Sequence, residues 1–299
     1  MNDHDADRSL LAELIARSKV YHQSAEFKQL LDFTIGLRNF APFNAFLLHL
    51  QKPGLRFAAS EYDWRTRYNR TIAEGARPLI ILIPFGPVAL VYDIADTEGE
   101  PLPPVVMHSF RATGRITRER FARFAILMER KGINLKFIEY GDAHAGYIKR
   151  TASEQRPEVR KRSKSAKETP DYRVRVNKAH DPNVQFATLA HELAHLFVGH
   201  LGADAYLKIP RRDPVPPAQQ ELEAEAVSYL VCCRNGVSSE GESYLAGYVE
   251  RHTTLGSVDI DAVLRAAGRI EALLQLTDHT RFGPKRRPRS RPHEENGAG

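Results

Sequence analysis

The chain has 299 residues, 42% of them hydrophobic and 27% charged, a make-up that suits a soluble globular protein with room for two modest cores. The formal net charge is +6, and no stretch approaches the roughly eighteen apolar residues a transmembrane helix needs. Cys232 and Cys233 are adjacent and cannot easily reach disulfide geometry, which excludes a disulfide scaffold and fits a reducing compartment.

The opening residues, MNDHDADRSL, are acidic and polar, unlike a signal or transit peptide, so a cytoplasmic protein is expected. Residues 9–52 predict two helices. Leu10, Leu11, Leu14 and Ile15 supply one apolar face, and Phe27, Leu30 and Leu31 open a second that breaks near Pro42. The runs at 79–84 and 88–94 read as strands joined through Phe85-Gly86-Pro87 as a hairpin. Pro101, Pro103 and Pro104 suggest a boundary between a domain at 1–104 and another at 105–278.

Beyond that boundary a helix is expected over 117–131, with Thr117 as N-cap and Phe121, Phe124, Ala125 and Met128 facing inward. Short strands follow at Asn134–Tyr140, Gly146–Arg150 and Tyr172–Asn177. The basic stretch 153–170 separates the last two as a flexible loop. Residues 186–198 and 219–230 predict two more helices, and further helices are expected at 240–252 and 259–277. A disordered basic tail is expected over 279–299. The tail carries six basic and two acidic residues, as does 156–168, so the excess positive charge sits in these two stretches. Either stretch could hold a polyanion by releasing counterions.

The chemistry concentrates at His191-Glu192-Leu193-Ala194-His195, an HExxH string in a helical segment. Residues four apart share a helix face, so His191 and His195 can turn two imidazoles to one ion. Glu192, rotated by about 100°, borders that ion and suits a general base. A third ligand is expected from the helix beginning at Gln219. Glu221 lies 26 residues after His195, enough to end one helix near Gly199, cross a loop and return antiparallel. Glu225, one turn on, is expected to accept the other ring N–H of a ligating histidine. Glu223 points away from Glu225 and is expected in solvent. His200, Tyr206 and Tyr229 are candidates to stabilise an oxyanion.

The stretch VNKAHDPNVQFATLAHELAHLFVGH followed by ELEAEAVSYLV resembles ImmA/IrrE-type metallopeptidase domains, and more closely ArdC-type antirestriction proteins. Glu225 departs from the ImmA/IrrE pattern, where Asn is usual, and agrees with the ArdC form. PFNAFLLHLQKPG, YDWRTRYNRTIAEGARPLIILIP and VYDIADTEGEPLP are similar in order and spacing to the ArdC N-terminal domain. SYLAGYVE and IDAVLRAAGRIEALL look like its C-terminal helices. The basic stretch in the middle departs from that pattern.

The resemblance implies an α+β chain: an N-terminal domain with a β-hairpin that binds single-stranded DNA, then a gluzincin-like core with one Zn2+ or Mn2+ ion. It supports His191, His195 and Glu221 as ligands and Glu192 as base, acting on a protein substrate. It leaves open a non-catalytic antirestriction protein whose metal is structural. For DNA contact the residues to expect are Trp64, Arg65 and Arg67, with Asn44 behind them, since single-strand binding combines stacking aromatics with phosphate-holding cations. The strand at 172–177 is expected to offer an edge to an extended substrate. Oligomeric state has no sequence signature here.

Overall fold

The structure is a computed structural model that describes residues 24–83, 88–102, 116–139, 145–151, 171–237, 258–277 and 279–283. Its fold is α+β, as expected. The N-terminal part contains α1 (Ser24–Gly36), α2 (Pro42–Gln51), β1 (Ala58–Ala59), α3 (Glu61–Arg67), β2 (Arg70–Ile72), β3 (Leu79–Ile81), β4 (Ala89–Asp93) and β5 (Thr97–Gly99). The rest contains α4 (Arg118–Glu129), β6 (Ile133–Ile138), β7 (Gly146–Arg150), β8 (Tyr172–Asn177), α5 (Pro182–Val198), α6 (Pro217–Arg234) and α7 (Ile260–Leu273). The expected helices at the N-terminus before residue 24 and at 240–252, the hairpin turn 85–87 and the basic loop 153–170 lie outside the described residues.

Strands β3 and β4 pair antiparallel as the two β-rich runs suggested, and β1 adds to the far side of β4. Against this small sheet lies a satellite core of Leu37, Phe40, Ala45, Leu48 and Val91. Helix α3 starts at Ser60, whose hydroxyl accepts the Asp63 amide N–H, an N-cap that satisfies one of the free donors of the first turn.

The main core is shared. Leu30, Leu31, Phe43, Phe46 and Leu47 from α1 and α2 belong to the same buried cluster as Phe186, Leu189, Leu193, Leu230 and Val263. The first two helices therefore pack on α6 and α7 as well as on their own small sheet, and the expected division at residue 104 runs through a chain whose two parts share apolar contacts.

The second sheet has the order β6-β8-β7, with β6 parallel and β7 antiparallel to β8. This overturns the expected role of Tyr172–Asn177 as a free edge: β8 is central and hydrogen-bonded on both sides. Its burial alternates, with Tyr172, Val174 and Val176 inward and Arg173 exposed, so one face of this central strand meets the core. Helix α5 packs across β7 and β8, with α6 and α7 against it.

The C-terminal stretch also departs from expectation at its start. The Thr280 hydroxyl and the Arg281 amide and guanidinium all donate to the buried Asp63 carboxylate. Thr280 N–H donates to the Asn39 carbonyl. Residues 279–281 are thus pinned to the N-terminal part, and only 284–299 of the expected tail falls outside the description.

Candidate metal centre

Helix α5 begins with Pro182 in the first turn, where the missing N–H costs nothing, and ends at Gly199 with φ 100°. Phe186, Leu189, Ala190, Leu193 and Leu196 repeat every three or four residues and face the core. His191, Glu192 and His195 lie on the half-exposed flank that remains. Helix α6 starts after Pro216 and lies along α5, bringing Glu221 and Glu225 over the two histidines.

Three side chains converge there. His191 Nε2 is 3.2 Å from His195 Nε2. Glu221 places Oε2 3.3 Å from His191 Nε2 and Oε1 3.6 Å from His195 Nε2. Donor atoms about 2.0–2.1 Å from a tetrahedral ion stand about 3.3 Å apart, so these separations fit one divalent ion among two imidazoles and a carboxylate. Among the described residues this is the one His/Cys/Asp/Glu group arranged to hold a metal ion. Glu221 is the most exposed of the three, its side chain 57% accessible, so the site opens on its side.

Glu225 sits where the sequence placed it: His191 Nδ1 lies 3.2 Å from its Oε2. Burial opposes the protonated imidazole of His191, but the Glu225 hydrogen bond and the nearby Glu192, Glu225 and Glu221 charges outweigh it and raise its pKa. His195 has no such partner. Burial first, then the neighbouring His191 and His200, push it down to about 3, so its imidazole is neutral, the form that ligates a metal.

Glu192 points to the sheet side of the cluster. Ala145 accepts from Asn177 of β8 and Thr151 donates to Asp171 just before that strand, an alternation that turns the amide of Ile148 away from β8, and Glu192 accepts that N–H. Burial lifts its pKa above the usual carboxylate range, the Glu221 charge adds to this, and His191 and the Ile148 bond pull the other way. A carboxyl raised in this way is suited to taking a proton and passing it on.

The oxyanion candidates separate. His200 follows Gly199, and the left-handed turn there folds its ring back behind His195 rather than toward the point where His191, His195 and Glu221 converge. Its Nδ1 is 2.9 Å from His195 Nδ1, and its side chain is buried. It stands behind His195, on the side away from Glu221 and His191. The Tyr206 hydroxyl is directed at the Arg130 carbonyl, 3.5 Å away, on α4's C-terminal end. Tyr229 is half-buried on α6, one turn beyond Glu225, and packs against the core.

Glu223 overturns its expected solvent exposure. Its side chain is fully buried and accepts from the Arg212 fork, His200 Nε2, the Gln219 amide and the Asp259 backbone N–H. Burial alone would raise its pKa, but these donors hold it down at about 2. Helical arithmetic missed it because α6 is buried on two sides, against α5 on one and α7 on another. The sequence signal was the Arg212 cation in the preceding loop.

The DNA-contact candidates divide as well. Trp64 is fully buried among Phe57, Ala59 and Leu102, and its indole N–H donates to the Tyr92 carbonyl, so no ring face is free to stack on a base. Asn44 clips α2 to the chain after β3, exchanging hydrogen bonds with both backbone groups of Leu82. Arg65 and Arg67 are exposed at the end of α3.

The fold and this cluster together define an α+β protein with a possible His/Glu metal site. No protein-family model matches the chain, and a search of curated proteins finds no match. Among solved structures, the chain is similar to the Mn(II)-bound crystal structure of the antirestriction protein ArdC from plasmid R388. The identity is 16% and the TM-score 0.36, over 83% of this chain and 94% of that one. Likeness at that distance transfers no residue role.

Proposed function

We propose that the chain is a metal-dependent peptidase, with His191, His195 and Glu221 as ligands and Glu192 as general acid–base. What carries the reading is the placement of Glu192 one residue from His191, on the flank of a three-ligand cluster that opens on the Glu221 side. A carboxyl there has no part in a purely structural clip. A divalent ion, Zn2+ or Mn2+, would act as Lewis acid, polarising a carbonyl and acidifying a water. Glu192 then takes the proton of the attacking water and delivers it to the leaving amine. Glu225 holds His191, and Ile148 N–H holds Glu192 until substrate enters. With β8 paired on both sides, the sheet edge nearest the site is β7, so an extended peptide would lie along that strand.

The second reading is a DNA-associated, antirestriction-like binding protein that uses the ion only to clip α5 to α6. The exposed Arg65 and Arg67 support it, and the segment 156–168 and the residues after 283 would add basic charge. Glu192→Gln separates the two. In the peptidase reading the variant keeps its metal and fold and loses about 10²–10⁴-fold in peptide cleavage. Undiminished cleavage by that variant sinks the peptidase reading. A wild-type chain that cleaves nothing but binds a single-stranded oligonucleotide with steep salt dependence supports the second.

A further inference from the structure

Behind His195, on the side away from the metal cluster, runs a continuous series of polar contacts. His195 Nδ1 is 2.9 Å from His200 Nδ1, and His200 Nε2 is 2.9 Å from Glu223 Oε2. Glu223 in turn receives both nitrogens of the Arg212 fork, the Gln219 amide and the Asp259 backbone N–H. We infer that Glu223 and His200 are positioning residues that fix which ring nitrogen of His195 carries its proton, and so turn the Nε2 lone pair to the ion. This rests on the metal-site reading and adds to it residues that do not themselves face the ion.

The argument is one of donors and acceptors. Arg212, Gln219 and the Asp259 amide can only donate toward Glu223, so both of its oxygens act as acceptors. His200 Nε2 must then present its N–H to Glu223. Arg212 Nη1 also lies 3.5 Å from His200 Nε2, but both groups are donors converging on the same carboxylate oxygen. The Arg212 guanidinium already balances the single charge of Glu223, so the series needs no second cation; with the one ring proton of His200 on Nε2, its Nδ1 is bare and can only accept. His195 Nδ1 is therefore the donor between the two rings, and its Nε2 is left bare, 3.2 Å from His191 Nε2 and 3.6 Å from Glu221. The opposite assignment would point an N–H of His195 at the metal position.

The two ligating histidines are thus oriented by different means. His191 leans directly on a carboxylate, whereas His195 reaches one through an intervening imidazole. The Glu223 anchor of the second series is itself held from outside the two site helices, by Arg212 in the loop before α6 and by the Asp259 N–H at the start of α7. The geometry of one metal ligand consequently depends on that loop and on the seating of α7.

The test uses the full chain. Long-range 1H–15N correlation on metal-free wild-type protein reads the tautomers directly. Nδ1-protonated His195 together with Nε2-protonated His200 is the expected result, and Nε2-protonated His195 overturns the inference. Zn2+ affinity, measured by competition with a chromophoric chelator, should then fall about 10–100-fold in His200→Phe. An unchanged affinity in that variant, shown folded by circular dichroism, also overturns it. Should His200→Phe fail to fold, the wild-type tautomers decide alone. A wild-type chain that takes up no Zn2+ removes the metal reading, while the tautomer result still judges the relay.

Discussion

His195 carries the most at the scale of single residues, because the proposed site uses it both as a ligand and as the end of the relay through His200. Replacing it with alanine removes one of three donors, and His195→Ala is expected to leave the chain without bound metal. Native mass spectrometry that finds metal retained in that variant would refute the ligand set. Glu223 sets a pH dependence whose sign follows from its depressed pKa. The unfolded chain protonates this carboxyl below about 4.5, the folded chain only below about 2. Between those values the unfolded state binds more protons, so stability rises with pH across the window. Its contribution, on the order of 3 kcal/mol, is complete above 4.5 and is lost as pH falls toward 2. Glu223→Gln should therefore unfold at lower urea than wild type at neutral pH, with the gap narrowing through that acid window. A gap that stays constant with pH would assign the loss to packing.

Elements bring these side chains together through two glycines with opposite demands. Gly199 closes α5 in the left-handed region, and without that turn His200 could not fold back onto His195. Gly146 instead serves close approach. A Cβ there would stand 2.5 Å from the Arg175 carbonyl oxygen and 2.7 Å from Thr188 Cγ2, between β8 and α5. Gly146→Ala is expected to push β7 off the helix, at a cost of about 1–3 kcal/mol for overpacking. Since Ile148 of the same strand holds Glu192, the proposed cleavage should drop further than stability alone explains; on that reading, a variant with lowered melting temperature and normal turnover of the folded fraction would show that β7 has no part in placing Glu192. The periodicity of α5 and its terminators were plain in the sequence, and so were both strands. That β8 enters between β6 and β7 was not, because strand order depends on where the segments between strands travel and not on the strands' own residues.

The whole molecule is tied together by a buried ion pair. Arg234, at the end of α6, donates to Glu271 of α7 and to the carbonyls of Thr34, Leu37 and Phe40 around the end of α1. One guanidinium thus satisfies backbone acceptors that a helix terminus leaves free and joins the N-terminal helices to the helix bearing Glu221 and Glu225. Removing the cation alone strands a buried carboxylate, so Arg234→Ala should cost about 3–5 kcal/mol in urea unfolding, and the apolar pair Arg234→Met with Glu271→Leu should recover part of it. Equal stability of Arg234→Ala and wild type would mean that the junction is held by apolar contacts alone. At this scale the strap of Thr280 and Arg281 onto Asp63 does the same for the C-terminal end.

By itself the sequence determined the helix carrying His191, Glu192 and His195, the second helix carrying Glu221 and Glu225, and the α+β character, since each is written in local period, terminators and spacing. Tertiary structure alone decided that Glu223 is buried, that His200 stands behind His195, that Trp64 is core and that β8 is central. Those outcomes depend on what packs against a face from far along the chain. A carboxylate, an imidazole or an indole looks the same in sequence whether its neighbours are water or Arg212, His195 or Phe57.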